Sequence, residues 1–126
     1  MIHQKLALPG LDRTRARFLE MLKDRLATIA GHAIAAWESH KLEDVNGNLG
    51  RARGMLCQIS GSAGSLGFDD LGQHAESVEK AIADHLNGDD ADLGICPADL
   101  IFHLDHFVQR CQALIETHPQ QVKQAC

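Results

Sequence analysis

The stretch Gly50-Arg-Ala-Arg-Gly-Met-Leu-Cys-Gln-Ile-Ser-Gly-Ser-Ala-Gly-Ser-Leu-Gly67 holds five glycines around one cysteine, Cys57. Its apolar residues Leu49, Ala52, Leu56, Ile59, Ala63 and Leu66 recur at steps of three and four, the period of an α-helix with one buried face. With Gly50 at zero and about 100° per residue, Gly54, Cys57, Gly61 and Gly64 fall within about 40° of it. The apolar set lies between about 160° and 260°. The glycines and the thiol therefore form one narrow stripe opposite the core face, and the stripe is expected to face solvent. A flexible loop would not keep this rhythm. Neither phosphate-binding glycine motif fits: G-x-x-x-x-G-K-[ST] lacks its spacing and lysine, and no strand precedes a dinucleotide fingerprint.

Glycine in an exposed helix interior costs about 1 kcal/mol relative to alanine. Four would cost about 3–4 kcal/mol, a large share of a typical stability of about 5–15 kcal/mol. Gly50 reads as close to the frayed start of its helix. Gly54 and Gly61 lie one turn before and one turn after Cys57, so position 57 stands on bare backbone that a partner surface can approach closely.

The same periodicity extends outward. A first helix follows Pro9-Gly10, with the stripe Phe18, Leu22, Leu26, Ile29, Ala33 and Trp37 and with Asp12 or Thr14 as N-cap. ESHKLEDVNGN, residues 38–48, is polar and breaks the pattern. Gly67 suits a left-handed stop after the second helix. Asp69 is placed to cap a third helix with Leu71, Ala75, Val78, Ile82 and Leu86 on one face. Residues 87–97, NGDDADLGICP, read as loop. A fourth helix starts near Pro97 and carries Leu100, Leu104, Phe107, Cys111 and Leu114. No segment alternates as a strand. The expected architecture is all-α, an antiparallel up-down four-helix bundle. One domain spans 1–126, with 1–10 as an N-terminal extension and 118–126 as a frayed tail.

The chain has 126 residues and a net charge of −5. That balance excludes a general nucleic-acid binder, which needs clustered cations. Arg13, Arg15 and Arg17 read as a solvated helix face. No apolar run reaches the ~18 residues of a membrane span, and the first fifteen residues lack a signal peptide's apolar stretch. The expectation is a cytoplasmic monomer without a membrane or nucleic-acid partner. Cys57, Cys96, Cys111 and Cys126 include no C-x-x-C, so neither a disulfide framework nor a four-cysteine zinc site is expected. His103 and His106 are three apart, close enough to share a metal but too few to make a site, and they read as solvated.

Residues 56–82 resemble the core motif of histidine-containing phosphotransfer (HPt) domains. Those domains read H-x-[LI]-x-G-[SA]-[SA]-x-[ST]-[LF]-G and continue into an Ala-rich helix ending in Glu. Ile59, Gly61, Ser62, Ala63, Gly64, Ser65, Leu66, Gly67 and Phe68 match, as do Leu71, Ala75 and Glu79. The resemblance implies a four-helix bundle in a two-component phosphorelay, without cofactor or metal. It also implies a solvent-facing acceptor histidine that exchanges phosphate with a response-regulator aspartate. That acceptor position is Cys57 here, and the lysine often found three residues later is Ser60. Arg51, Gln58 and Ser65 flank one side of the stripe, and Arg53 and Ser60 the other. With Gly54, Gly61 and Gly64 they make the expected docking surface for a receiver domain or histidine kinase, on which Arg51 and Arg53 steer acidic partners.

A thiol must ionise to act as a nucleophile, and a free cysteine has a pKa of about 8.5. No histidine falls on the stripe to take the proton. The expected function is docking without enzymatic activity, with phosphotransfer lost at position 57. The alternatives are a competent relay, using a phosphorylated Cys57 or an acceptor histidine that engineering replaced, and a thiol redox sensor. His74 is a substitute acceptor only if exposed.

Overall fold

In a computed structural model, residues 10–117 are described; the expected extension, apart from Gly10, and the expected tail lie outside them. Four helices follow one another: α1 (Leu11–Glu38), α2 (Leu42–Ser65), α3 (Asp69–Leu86) and α4 (Ala98–Glu116). The long connection before α4 contains a 3₁₀ turn at Asp89–Leu93, where only loop was expected. Ala91 in that turn and Cys96 after it are buried, so the connection is held by tertiary packing.

The helices run antiparallel around one core. Along α1, His32, Arg25 and Arg15 bond in turn Asn48 and Gln58 of α2 and Leu66 at its C-terminal cap, so the two numberings run in opposite senses. Gly72 of α3 approaches Ser60 and Gly64, while Glu79 reaches back to Arg53. His74 of α3 meets Phe107 of α4 edge-on, and Trp37 of α1 shares a groove with Ile101. Each helix packs on two neighbours, and among the described residues the backbones of the diagonal pairs stay farther apart. Phe107, Leu19, Leu22, Ile29, Leu49, Leu56, Ile59, Ile82 and Leu104 are fully buried. Each contributes about 1.5–3 kcal/mol of burial.

The α2–α3 turn explains Gly67. With φ at +88° it takes the left-handed region. Phe68 N–H donates to Ala63 O at 2.9 Å, and Gly67 N–H to Gly64 O at 3.3 Å. These two bonds close a Schellman motif and satisfy the last carbonyls of α2. Phe68 then stacks on Phe18 with centroids 5.5 Å apart, which fixes where α3 begins.

Several expected boundaries move. Gly10 occupies the N-cap of α1, and the Thr14 hydroxyl donates to the Gly10 carbonyl at 3.0 Å, so neither Asp12 nor Thr14 caps. Asp69 is the first residue of α3, after Phe68 at the cap; it acts with Asp70 on the helix dipole. The break before α2 covers only 39–41, and Leu42-Glu-Asp-Val-Asn-Gly-Asn48 is helical. Its asparagines, which favour turns locally, find distant partners: Asn46 donates to Ala91 O at 3.0 Å, and Asn48 meets His32 Nδ1 at 2.9 Å. Gly50 is consequently well inside α2 and not at a fraying end. Trp37 leaves the buried stripe, which closes on Ala33 and Ala36, and lies half-exposed at the rim of the α1–α4 groove.

Candidate docking site around Cys57

The stripe on α2 faces outward. Gly54, Cys57, Gly61 and Gly64 are exposed, and Gly50 is partly so. A Cβ built on any of the four glycines would meet nothing within 4 Å. None of them has a positive φ, so backbone geometry does not require glycine there. Bundle packing does not require it either. The sequence rule that puts small residues inside a fold to allow close approach applies elsewhere, at Gly72. A Cβ there would stand 3.2 Å from Ser60 O and 3.3 Å from Gly64 N, so Gly72 seats α3 directly behind the stripe. Gly72 was not singled out by the sequence reading, because its role depends on which helix lies opposite.

Cys57 borders a shallow open depression with Gln58, Gly61, Ser62, Ser65 and Leu66. Of the expected flanking residues, Arg51, Arg53, Gln58 and Ser65 are exposed and Ser60 is half-buried. Their polar groups are largely engaged. Arg53 Nε donates to Glu79 Oε2 at 2.7 Å, an ion pair across the α2–α3 seam. Arg53 is therefore not a free steering cation, and Glu79 holds it beside the stripe. The Ser65 hydroxyl donates to Gly61 O at 3.0 Å. Arg51 has no ion-pair partner among the described residues, and its guanidinium folds back towards Gly47. Gln58 accepts from Arg25 Nη1 of α1. Arg25 is the cation that sequence reasoning missed. It lies 33 residues away in the chain and reaches the site only because α1 runs antiparallel beside α2.

The thiols separate by environment. Cys57 is exposed, whereas Cys96 and Cys111 are buried; Cys126 lies outside the described residues. Burial pushes the Cys96 thiol up, and it pushes Cys111 up to about 12 although Arg110 opposes it. Neither buried thiol has an accessible thiolate near neutral pH.

His74 does not meet the exposure condition for a substitute acceptor. It is half-buried between α3 and α4, with its ring on Phe107 and His106 and its Nδ1 at 3.2 Å from Arg110 Nη1. Burial, then Arg110, His106 and His103, hold its pKa below the ordinary 6.5. Among the described residues no group of three or more His, Cys, Asp or Glu is placed to hold a metal ion. No described helix is long and apolar enough to cross a membrane. Comparison with family models, curated proteins and solved structures finds no match to this chain.

Proposed function

We propose that the chain is an HPt-like docking module of a two-component phosphorelay. It binds a receiver domain, or a histidine kinase, through the α2 face around Cys57 and does not relay phosphate. One observation carries the reading: four glycines line an exposed helical face with open space over every one. They weaken the helix there and serve no internal packing, so the cleared surface is best explained by an outside partner that comes close to backbone. The antiparallel bundle and the motif over residues 56–82 support the same class. Cys57 at the acceptor position supports docking over relay, because it has neither an imidazole nor a neighbouring base on its face.

The test is receiver binding and phosphotransfer, with this chain beside its Cys57→His variant. The expected result is equal receiver affinity for both, with phosphate on the variant alone. Phosphate on the unchanged chain would defeat the docking-only reading, and absence of binding by either would defeat the class. Thiol redox sensing is the second reading, favoured by the exposure of Cys57 against the burial of Cys96 and Cys111. Mild peroxide followed by mass spectrometry decides it: a Cys57 that stays reduced excludes it.

A further inference from the structure

The charges of the chain are divided between two sides of the bundle. Residues 11–66, which hold α1 and α2, carry eight Lys and Arg against six Asp and Glu. Residues 67–117, which hold α3, the 3₁₀ turn and α4, carry two against eleven. Each helix packs on two neighbours, so the α1–α2 pair and the α3–α4 pair form opposite sides. The net charge of −5 conceals this division. The division sharpens towards Cys57. Glu38, Glu43 and Asp44 sit where α1 passes into α2, and Asp44 is roughly 20 Å of helix before Cys57. Asp89, Asp90 and Asp92 belong to the same end, because their turn is held at Asn46.

The cations differ between the sides as well. Lys80 pairs with Glu76 at 3.6 Å, Arg110 turns to His74, and Arg53 at the α3 seam is held by Glu79. Arg25 and Arg51 have no ion-pair partner among the described residues. Both lie along one flank of the stripe. Arg51 is two turns before Gln58 on that flank, and Gln58 accepts from Arg25. The depression beside Cys57 opens on the same flank, since Gln58, Ser62, Ser65 and Leu66 border it. Arg15 of α1 closes its end, with Nε donating to Leu66 O at 2.8 Å. The thiol therefore stands between an α3 edge whose cation is neutralised and an α1 edge whose cations are not.

We infer that the partner of this face carries a carboxylate-rich patch, which settles on the α1 edge of the depression against Arg25 and Arg51. The inference rests on the docking reading of the Cys57 face and names the edge, the cations and the partner's chemistry. Complementary charge gives orientation and association rate. The α1–α2 side attracts such a patch and the α3–α4 side repels it, so the partner arrives with one edge fixed. Gln58 takes Nη1 of Arg25, and a guanidinium has further N–H donors for a carboxylate. Arg53 does not share this role, because Glu79 already supplies its carboxylate.

Nuclear magnetic resonance of the isotopically labelled full chain, titrated with a hexa-aspartate peptide, tests the inference. The screening length is about 8 Å at about 0.15 M salt, so the shifts should be largest at low salt and fade as salt rises. They should fall on Arg25, Gln58 and Ser62 and leave α3 and α4 unmoved. Arg25→Gln should weaken peptide binding about fivefold or more. Lys80→Gln makes the same change of charge on the opposite side and should weaken it less than about twofold. An absence of shifts at low salt overturns the inference, and so do shifts on α3 and α4. Equal weakening by the two variants overturns it too, since total charge would then be the cause. Tighter binding of an oligothymidylate of equal charge would overturn it by assigning the edge to phosphate. The peptide test needs no receiver. A chain that takes the peptide on this edge and binds no receiver loses the receiver reading alone. A chain whose receiver affinity is unmoved by Arg25→Gln loses this inference alone.

Discussion

Replacing the stripe glycines by alanine should stabilise the fold and weaken docking together. Gly50, Gly54 and Gly61 lie inside α2, have helical backbone angles, and leave free space for a methyl group. Each substitution should recover the glycine–alanine difference of about 0.8–1 kcal/mol, and the triple variant about 2.5–3 kcal/mol. Gly64 is in the last turn of α2 and should add less. For a chain of 126 residues that gain corresponds to a rise in Tm of roughly 10 °C. The assay is thermal and urea unfolding of the unchanged and triple-alanine chains, with receiver affinity measured in parallel. A partner packed against bare backbone has no room for three methyls, and overpacking of this kind costs about 1–3 kcal/mol. Affinity should therefore fall at least tenfold while stability rises. A variant no more stable than the parent would refute the reading of the stripe as exposed helix. A stabilised variant with unchanged affinity would refute the claim that the clearing serves docking.

Three further outcomes follow from other parts of the structure. Gly72→Ala should lower stability by about 1–3 kcal/mol, because its methyl group meets the backbone of α2 at Ser60 and Gly64; an unchanged urea midpoint would show that α3 does not sit this close. His74 has its pKa held below 6.5 by burial and by Arg110, His106 and His103 on α4. As pH falls below 6.5 the unfolded chain takes up this proton more readily than the folded one, so the contribution is complete above that pH and is lost on acidification. Urea titrations at about pH 7.5 and 5.5 should show this loss, and His74→Gln should reduce it; an identical loss in the variant would remove His74 as its source. Alkylation under native conditions should label Cys57 long before Cys96 and Cys111, and equal rates would contradict the burial of the latter two.

Much of the fold was legible because its signals are local. The apolar steps on α2, α3 and α4 name buried residues, apart from Leu66, Leu86 and Leu114 at their ends, which are only partly buried, and Gly67 closes α2 where its position suggested. The errors share one cause. Asn46 and Asn48 favour turns by themselves, and only their bonds to the 3₁₀ turn and to α1 draw residues 42–48 into α2. Trp37 keeps the apolar spacing, but at the end of α1 it stays half-exposed, because among the described residues α4 covers only one side of it. At the candidate site, the outward stripe was readable from helical geometry alone. The engagement of Arg53 by Glu79 and the arrival of Arg25 were not, since both depend on contacts between helices.

The sequence by itself determined that α2 is an amphipathic helix with its glycines and Cys57 on the polar side, because a 3.6-residue period leaves no other register for Leu49 to Ala63. Only the tertiary structure decided what surrounds that side. Antiparallel packing sets Arg25 against Gln58 and Glu79 against Arg53, while Gly72 lets α3 come close behind. It also opens a groove between α1 and α4 where the alanines of α1 face Ile101 and Val108. Which side chains meet across a bundle depends on the relative placement of whole helices, and no spacing within one helix encodes that.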